Sequence, residues 1–372
     1  MILVYHSRII GNIPLHLKII HLPLASGPKH MLYDRLPAAD PHPAGITPCP
    51  ILKNNMDYMS LFKKCILCPR ACGADRASGD NKGFCRESAE LRVAYVGPHF
   101  GEEPPLTGTR GSGTVFFTGC SLRCSYCQNY QISREGLGEA TGAEELLARV
   151  ESMIFKDGVH NVNFVTPDHF FPYAINLISE LRKKGHGLPM VFNLSGYQSI
   201  ASLKLVHAFT DIYLPDFKYA DRNLAAGLSQ CRDYPDVALS AIGEMIGRKG
   251  FLNSLENAAS PATKGVLVRH LILPGYVANS LDAITTLFLE FGRSLPLSIM
   301  SQYCPVLRHD DENLNRPLTK DESDLVYNYA IDLGFEHLFI QTPEDVTEAD
   351  SGRPPFVPDF RLGRPFLQSR QD

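Results

Sequence analysis

The sequence lacks a strong charge imbalance, a long apolar run and a high density of cysteine, and each absence excludes a class of protein. Its 36 Lys and Arg against 40 Asp and Glu give a formal charge of −4, which argues against a nucleic-acid partner because such partners select basic surfaces. No segment reaches the roughly 18 to 20 apolar residues of a membrane helix, and residues 284–300 are interrupted by Glu290 and Arg293. Ten cysteines in 372 residues are too sparse for a disulfide scaffold. We therefore expect a soluble globular protein with no membrane contact.

Seven of the ten cysteines fall into two groups whose spacing is typical of metal ligands. The groups are Cys65, Cys68, Cys72 and Cys85, followed by Cys120, Cys124 and Cys127. Such grouped thiols favour a reducing compartment, and we expect the cytoplasm. The isolated residues Cys49, Cys231 and Cys304 are expected to be small buried hydrophobes or inert thiols.

Composition divides the chain into four parts. We expect residues 1–58 to be a poorly ordered extension or leader, because they include a proline-rich stretch and lack the apolar core of a signal peptide. We expect residues 59–110 to be a Cys-rich metal-binding segment, 111–342 to be the main folded domain, and 343–372 to be an irregular C-terminal tail.

From residue 114 onward, strand-like and helix-like segments alternate, which predicts an α/β fold with a parallel sheet. Thr141-x-x-Glu144 and Thr319-x-x-Glu322 are predicted capping boxes at the starts of two helices. The six predicted strands are 114–118, 162–165, 190–194, 212–217, 266–273 and 297–301. Residues 337–341 are a candidate for a seventh. Such a series forms either a doubly wound sheet or a full or partial barrel, and both place the functional site at the carboxyl ends of the strands.

A loop with three cysteines directly follows the first predicted strand, in the run Cys120-Ser-Leu-Arg-Cys124-Ser-Tyr-Cys127. A structural zinc or a fully capped [4Fe-4S] cluster needs a fourth ligand, and none is adjacent. Three thiolates on a four-iron cluster leave one iron open for substrate, by the same logic as a catalytic metal with a vacant position. A zinc loop is the alternative.

This motif, with an aromatic residue before its last cysteine, resembles the cluster motif of the radical S-adenosylmethionine (SAM) superfamily. The resemblance implies a partial (β/α)6 TIM-like barrel with an N-terminal Cys-rich extension. It also implies that SAM binds the open iron and is cleaved reductively to methionine and a 5′-deoxyadenosyl radical, which abstracts hydrogen from a substrate. An electron donor such as flavodoxin or ferredoxin is implied as a partner.

Within the superfamily the chain is similar to the PflX-like branch of pyruvate formate-lyase activating enzyme homologues. The stretches that carry this resemblance are CILCPRACG (65–73), GPHFGEEPP (97–105), GSGTVFF (111–117), CQNYQIS (127–133), NFVTPDH (163–169), DIYLPDFKY (211–219) and VRHLILPG (268–275). The resemblance implies an activase-like role, in which the radical is placed on a glycine of a protein substrate.

The resemblance also implies a set of SAM-contacting residues. Asn193 and Ser195 correspond to residues on the ribose side, and Lys218 faces the methionine carboxylate with Asp216 beside it. Without the family context, Asp216 and Lys218 are an ordinary same-face ion pair. Arg269 needs an anionic partner if it points inward, either the SAM carboxylate or an Asp.

Further cofactor contacts are expected around the cysteine loop from Tyr126, Gln128 and Asn129, with Tyr126 placed either near the adenine or in simple packing. Two positions depart from the family pattern. Thr166 stands where many members have Gly-Gly-Glu for the methionine amine, and Gln302 stands where activases have a His.

The N-terminal group Cys65, Cys68, Cys72 and Cys85 supplies four thiolates, which suit a structural zinc or a second cluster equally well. His99, Glu102 and Glu103 form a metal or acid/base site in one interpretation, but solvated charges on an exposed loop are the interpretation we prefer at this point. Two alternatives to an activase stay open. One is a non-catalytic iron–sulfur or zinc module for binding or electron transfer, and the other is a radical SAM enzyme that acts on a small molecule.

Overall fold

The computed structural model describes residues 57–255, 260–341 and 356–366, together with the backbone of two short strands near the N-terminus. Most of the extension predicted over residues 1–58, and most of the tail predicted over 343–372, lie outside the described residues.

The described strands are β1 (Ile2–Tyr5), β2 (Lys18–Ile20), β3 (Arg92–His99), β4 (Ser112–Phe117), β5 (Glu139–Ala140), β6 (Val162–Val165), β7 (Met190–Leu194), β8 (Ile212–Pro215), β9 (Gly265–Val266), β10 (Val268–Leu271), β11 (Leu297–Met300) and β12 (Leu338–Gln341). The described α-helices are α1 (Pro104–Thr107), α2 (Tyr130–Ser133), α3 (Ala143–Asp157), α4 (Phe171–Lys183), α5 (Ile200–Val206), α6 (Arg222–Ser229), α7 (Tyr234–Lys249), α8 (Val277–Phe291) and α9 (Lys320–Leu333). Short 3-10 helices span Tyr58–Phe62, Arg76–Ser78, Asp168–Phe170 and Glu312–Asn315.

The strands form one continuous curved series. One sheet has the order β5-β3-β4-β6-β7-β8-β9, and the other has the order β10-β11-β12-β1-β2. The two sheets meet where Phe217 N–H donates to the Arg269 carbonyl at 2.8 Å and Leu267 N–H donates to the Tyr213 carbonyl at 3.1 Å. Pairing is parallel from β4 through β9 and again from β10 through β1, so the predicted α/β fold with a parallel sheet is confirmed.

Strand β3 escaped sequence analysis and pairs antiparallel with β4. Its register shifts between Val93 and Tyr95, and Gly97 and Pro98 lie within it, so the alternating pattern that identifies a strand is broken. Strands β5 and β2 are the two ends of the described series, which leaves the barrel open on the side of β3 and β5.

The two predicted capping boxes have different outcomes. At α9 the Thr319 side chain accepts from the Glu322 N–H and the Glu322 side chain accepts from the Thr319 N–H, which confirms the box. At α3 the prediction is wrong, since the N-cap residue is Gly142. The N–H of Thr141 is bound to the Leu91 carbonyl, and its hydroxyl donates to the Glu139 carbonyl, so this residue extends the edge strand instead of capping the helix.

The central strands are buried on both faces, as expected for a parallel sheet with helices packed outside. Their interior includes a chain of aromatic rings in which Phe164 lies 5.4 Å from Phe192, and Phe192 lies 6.3 Å from Tyr213. This rigid core holds the strand ends that carry the polar residues. In the described part of the chain, no helix has the length and hydropathy needed to cross a bilayer.

Two arginines dock the Cys-rich segment onto the barrel. Arg76 is fully buried, donates to the His169 carbonyl at 2.6 Å and the Ser88 carbonyl at 2.8 Å, and lies over the ring of Phe62. Arg70 donates to the Ser121 carbonyl at 3.1 Å, inside the second cysteine group. The segment is therefore fixed next to the cysteine loop by charge-assisted bonds to backbone carbonyls.

The opposite end of the barrel is closed by the segment around α1. Ala262 N–H donates to the Pro105 carbonyl at 2.7 Å, and the Asn161 side chain donates to the Leu106 carbonyl at 2.8 Å. The segment before α1 carries Glu102 and Glu103 into the barrel interior, where both are buried.

Candidate functional site

A cleft with a volume of about 200 Å³ lies at the carboxyl ends of the parallel strands. Its wall includes every residue expected from sequence to contact SAM and all three cysteines of the second group: Tyr126, Gln128, Asn129, Thr166, Asn193, Ser195, Asp216, Lys218, Arg269 and Gln302, with Cys120, Cys124 and Cys127. These residues come from six different strand ends and loops, so only a curved sheet brings them to one cleft.

The three-cysteine loop is held in a defined shape at the cleft wall. Gly119 has φ +74°, and a Cβ there would lie 2.4 Å from Glu87 Cγ, so a larger residue does not fit. Cys120 Sγ accepts from the N–H groups of Leu122 and Arg123 at 3.3 and 3.5 Å. Ser133 Oγ donates to Cys127 Sγ at 3.3 Å.

Burial, followed by the neighbouring thiolates of Cys124 and Cys127, raises the pKa of Cys120. Neighbouring thiolates repel one another in a buried site, and bound iron would supply the positive charge that stabilises them. The donor set therefore fits a cluster with three thiolate ligands.

An ion pair of Asp216 and Lys218 lies beside the thiols, with Lys218 Nζ 2.5 Å from Asp216 Oδ2. Burial alone would raise the pKa of Asp216, but Lys218 and Arg269 outweigh it and the pKa is lowered. Burial alone would lower the pKa of Lys218, but Asp216 and the Cys124 thiolate outweigh it and the pKa is raised. Both groups are therefore charged at neutral pH.

Arg269, on β10, connects three other parts of the site: the loop before α1, strand β7 and the end of β8. Its Nη1 donates to Glu102 Oε2 at 2.8 Å, its Nη2 donates to Asn193 Oδ1 at 2.6 Å, and its Nε lies 3.4 Å from Asp216 Oδ1. Glu102 Oε1 also accepts from the Asn163 side chain at 2.9 Å. The anionic partners of the inward-pointing arginine are thus an Asp, as one of our alternatives predicted, and a Glu.

Glu103 is the least satisfied charged group in the cleft. It is 1% exposed, and its Oε2 has no hydrogen-bond partner among the described residues, although Arg269 Nη1 lies 3.8 Å away. Burial raises the pKa of Glu103, and Arg269 opposes this only in part.

The backbone at the ends of β7 and β8 is packed very closely. Gly196 has φ +83°, and a Cβ there would lie 2.1 Å from the Asp216 carbonyl oxygen. The Tyr234 hydroxyl lies 2.8 Å from the Ser195 carbonyl oxygen and 2.9 Å from that of Asp216, which locks the two strand ends together. A glycine at this position is therefore required for Ser195 and Asp216 to face the same cleft.

Thr166 has φ +52°, and its N–H donates to the Asn193 carbonyl at 2.9 Å. On the opposite wall, Gln128 Nε2 donates to the Gln302 carbonyl at 2.7 Å, and Gln341 Nε2 lies 3.4 Å from Gln302 Oε1. Tyr126 lines the cleft and also packs against Tyr219 and Tyr303, so both of its predicted roles remain compatible with its place.

Comparison with known proteins identifies the domain that carries this cleft. Residues 114–284 match the model of the radical SAM superfamily. The matched stretch, called the matched domain below, covers a little under half of the chain. The cysteine loop, the ion pair and Arg269 all lie within it.

Similar proteins were also found over longer stretches. The uncharacterized protein MJ0674 of Methanocaldococcus jannaschii is 28% identical over 294 residues, which cover 74% of this chain and 78% of the relative. Among solved structures, SuiB of Streptococcus suis bound to S-adenosylmethionine matches with a TM-score of 0.38 and 12% identity, over 60% of this chain and 44% of SuiB. The structure of anSMEcpe with bound AdoMet matches with a TM-score of 0.41 and 13% identity, over 60% of this chain and 61% of that protein. The chain thus spans less than two thirds of these two solved structures.

The preferred interpretation of His99, Glu102 and Glu103 as solvated loop charges is wrong. Glu102 and Glu103 are buried, and all three residues line the cleft although they precede the matched domain in sequence. Burial, reinforced by Arg269, lowers the pKa of His99 to about 4, so its ring is neutral at pH 7. The signal that could have found them is the charge of Arg269, which required a carboxylate from elsewhere in the chain.

The N-terminal cysteines lie beside the matched domain. A Cβ on Gly83 would lie 3.1 Å from Cys72 Sγ and 4.0 Å from Cys85 Sγ, so this glycine leaves space between two thiols. Burial raises the pKa of Cys68 to about 12. A backbone hydrogen bond from Arg70 opposes this shift, and the charges of Cys85, Asp168 and Cys65 add to it. Over the described ranges, however, no three His, Cys, Asp or Glu side chains converge as ligands of a single metal ion, and this holds for both cysteine groups.

Proposed function

We propose that the protein is a radical SAM enzyme that reductively cleaves S-adenosylmethionine and uses the resulting radical to abstract hydrogen from a substrate. The observation that carries this proposal is the shared cleft. Three cysteine thiols lie there together with charged and polar groups suited to an amino acid and a ribose.

Cys120, Cys124 and Cys127 would hold a [4Fe-4S] cluster, which when bound supplies an open iron for SAM and the electron that cleaves its C–S bond to give a 5′-deoxyadenosyl radical. The residues of the chain bind and orient. Lys218, held by Asp216, presents a cation to the methionine carboxylate. Ser195 Oγ accepts from Gln198 Nε2 at 3.3 Å and keeps its hydroxyl proton for an acceptor on the ribose.

Remaining contacts are assigned by position in the cleft. Asn193, which lines the cleft with Ser195, would contact the ribose, and the ring of Tyr126 would pack against the adenine. Thr166 takes the place of the family's residues for the methionine amine, and Gln302 takes the place of the activase His. Gln128 and Asn129 shape the wall next to the thiols, with Gln128 tied to the Gln302 backbone.

Two classes of substrate are supported, a glycine of a partner protein and a small molecule. Resemblance to the PflX-like branch supports an activase-like role on a glycine of a partner protein. Residues 356–366, of which Phe356 and Phe366 line the cleft, support a small molecule as substrate instead. In both cases a flavodoxin or ferredoxin of the cytoplasm is the proposed electron donor.

We also propose that Cys65, Cys68, Cys72 and Cys85 hold a second metal centre, either zinc or an auxiliary cluster. Two of these residues are buried and Cys72 is exposed, so the centre would lie at the edge of the segment that Arg70 fixes to the cysteine loop. A zinc would only fix the segment on the barrel, whereas a cluster there could also relay electrons.

The test is anaerobic reconstitution, with iron and zinc counted per chain, followed by reduction with dithionite and assay of 5′-deoxyadenosine. Cys124→Ala should abolish SAM cleavage, and Cys231→Ser is the matched control because a hydroxyl can replace the thiol that lies 3.4 Å from Asp233 Oδ1. About four irons with one zinc would assign zinc to the N-terminal group, and about eight irons would assign a second cluster. Iron without cleavage under strong reduction would leave the non-catalytic module as the correct account.

A further inference from the structure

The C-terminal segment, defined here as residues 356–366, lies on the open side of the barrel. Phe360 and Phe366 each pack 5.3 Å from the ring of Phe116 in β4. Phe366 also lies 4.2 Å from the ring of His99 and 5.8 Å from that of Tyr95, both in β3. The segment therefore covers β3 and β4, which lie next to the β5 end of the described series.

Hydrogen bonds join this segment to the cysteine loop. Gln131 follows Cys127 by four residues, and its Nε2 donates to Asp359 Oδ1 at 3.1 Å. The Phe360 N–H donates to Gln131 Oε1 at 2.8 Å, and Phe360 is 7% exposed. The buried side-chain amide of Gln131 thus binds two groups of the segment, the Asp359 carboxylate and the Phe360 N–H, which makes the attachment specific.

The same segment is part of the cleft wall. Phe356 and Phe366 line the cleft together with Phe116 and the cysteine thiols. This side of the cleft is aromatic and carries only the neutral His99, whereas the charged groups Glu102, Asp216, Lys218 and Arg269 lie on the floor. A polypeptide loop that approached the thiols from the open side would have to displace these rings.

We propose that residues 356–366 form a fixed wall of the cleft. While the segment holds this position, it limits the proposed radical SAM enzyme to a small-molecule substrate. The substrate clause rests on the proposed function, but the existence of the wall does not. The cleft suits a small molecule with an apolar part against the phenylalanines and a polar part toward the charged floor.

The first test is hydrogen exchange on the full chain, before and after cluster reconstitution. Peptides that cover 356–366 should be protected in both forms. Gln131→Leu, which removes both bonds to the segment at similar volume, should speed their exchange about tenfold or more. Leu362→Ala changes an exposed residue of the same segment, 52% exposed, and should leave exchange unchanged. An unprotected segment in the wild-type chain would overturn the proposal whether or not the protein binds iron.

The second test measures access to the reconstituted cluster. Iron loss to bathophenanthroline disulfonate, a bulky chelator, is compared with bleaching by ferricyanide, a small oxidant. Gln131→Leu should accelerate chelation by about tenfold but ferricyanide bleaching much less, since only the bulky probe is excluded by the wall. Equal acceleration of both reactions, or of neither, refutes the size restriction. Failure of the proposed function is a separate result, because it appears as absence of iron or of SAM cleavage while the exchange data still decide the wall.

Discussion

Removing the Arg269 guanidinium should destabilise the protein far more than removing any surface arginine. The Arg269 and Glu102 side chains are 11% and 6% exposed, and the guanidinium contacts Glu102, Asn193 and Asp216. In Arg269→Met the chain keeps a side chain of similar length but leaves two carboxylates buried beside an apolar group. Breaking a buried ion pair in this way typically costs about 3 to 5 kcal/mol, because the remaining charge loses its partner without regaining water.

A second substitution tests the cause. In Arg269→Met/Glu102→Gln the buried charge at residue 102 is gone, and its amide oxygen can still accept from the Asn163 side chain. We expect the double variant to recover about 2 kcal/mol of the loss, since an uncharged buried amide with a hydrogen bond costs much less than a lone carboxylate.

The measurement is urea unfolding of the full chain followed by far-UV circular dichroism. Arg222→Met is the matched control, because Arg222 forms an ion pair with Asp236 at 2.5 Å in which the side chains are 49% and 59% exposed. Its loss should cost less than about 1 kcal/mol. The reasoning is refuted if Arg269→Met costs as little as the control, or if the double variant is no more stable than the single one.

Two further predictions concern the pH dependence of stability and the strand ends. The raised pKa of Glu103 means that folding is penalised as pH rises from the ordinary Glu value of about 4.3 toward the folded-state value, so Glu103→Gln should stabilise the protein at pH 7.5 but not at pH 4. Unfolding curves at the two pH values decide this, and an equal gain at both would show that the carboxyl is not the source. Gly196→Ala should cost more than about 2 kcal/mol, because φ is +83° and the Asp216 carbonyl oxygen would lie 2.1 Å from the new Cβ. Gly187→Ala, with nothing within 4 Å, is the control and should change stability by less than about 0.5 kcal/mol.

The motif and the alternation of elements were readable from the chain because they depend on local order. Cys120, Cys124 and Cys127 lie within one loop, so their spacing alone predicts that three thiols line one site, and all three line the cleft. The strands after residue 114 are short apolar runs separated by amphipathic helices, and this pattern survives in the fold because both faces of each strand are covered. The capping box at Thr319 is likewise local, and it is present.

Predictions failed where a distant segment decides the outcome. The capping box at Thr141 is absent because the N–H of this residue donates to the Leu91 carbonyl and so belongs to the edge strand. Glu102 and Glu103 looked like solvated charges because the partner of Glu102 is 167 residues away, on β10. Nothing in the neighbourhood of Phe360 and Phe366 in sequence indicates that their rings pack on β3 and β4.

By itself, the sequence determined the chemistry available to this protein: a three-thiol loop at the end of the first parallel strand and a series of polar residues at the ends of the following strands. Only the tertiary structure decided how that chemistry is enclosed. The closure of the barrel bottom by α1, the pairing of Arg269 with Glu102 and the seating of residues 356–366 over Phe116 are contacts between segments far apart in the chain. Such contacts form only after the sheet has curved, because the curvature brings side chains from separate strands into one interior.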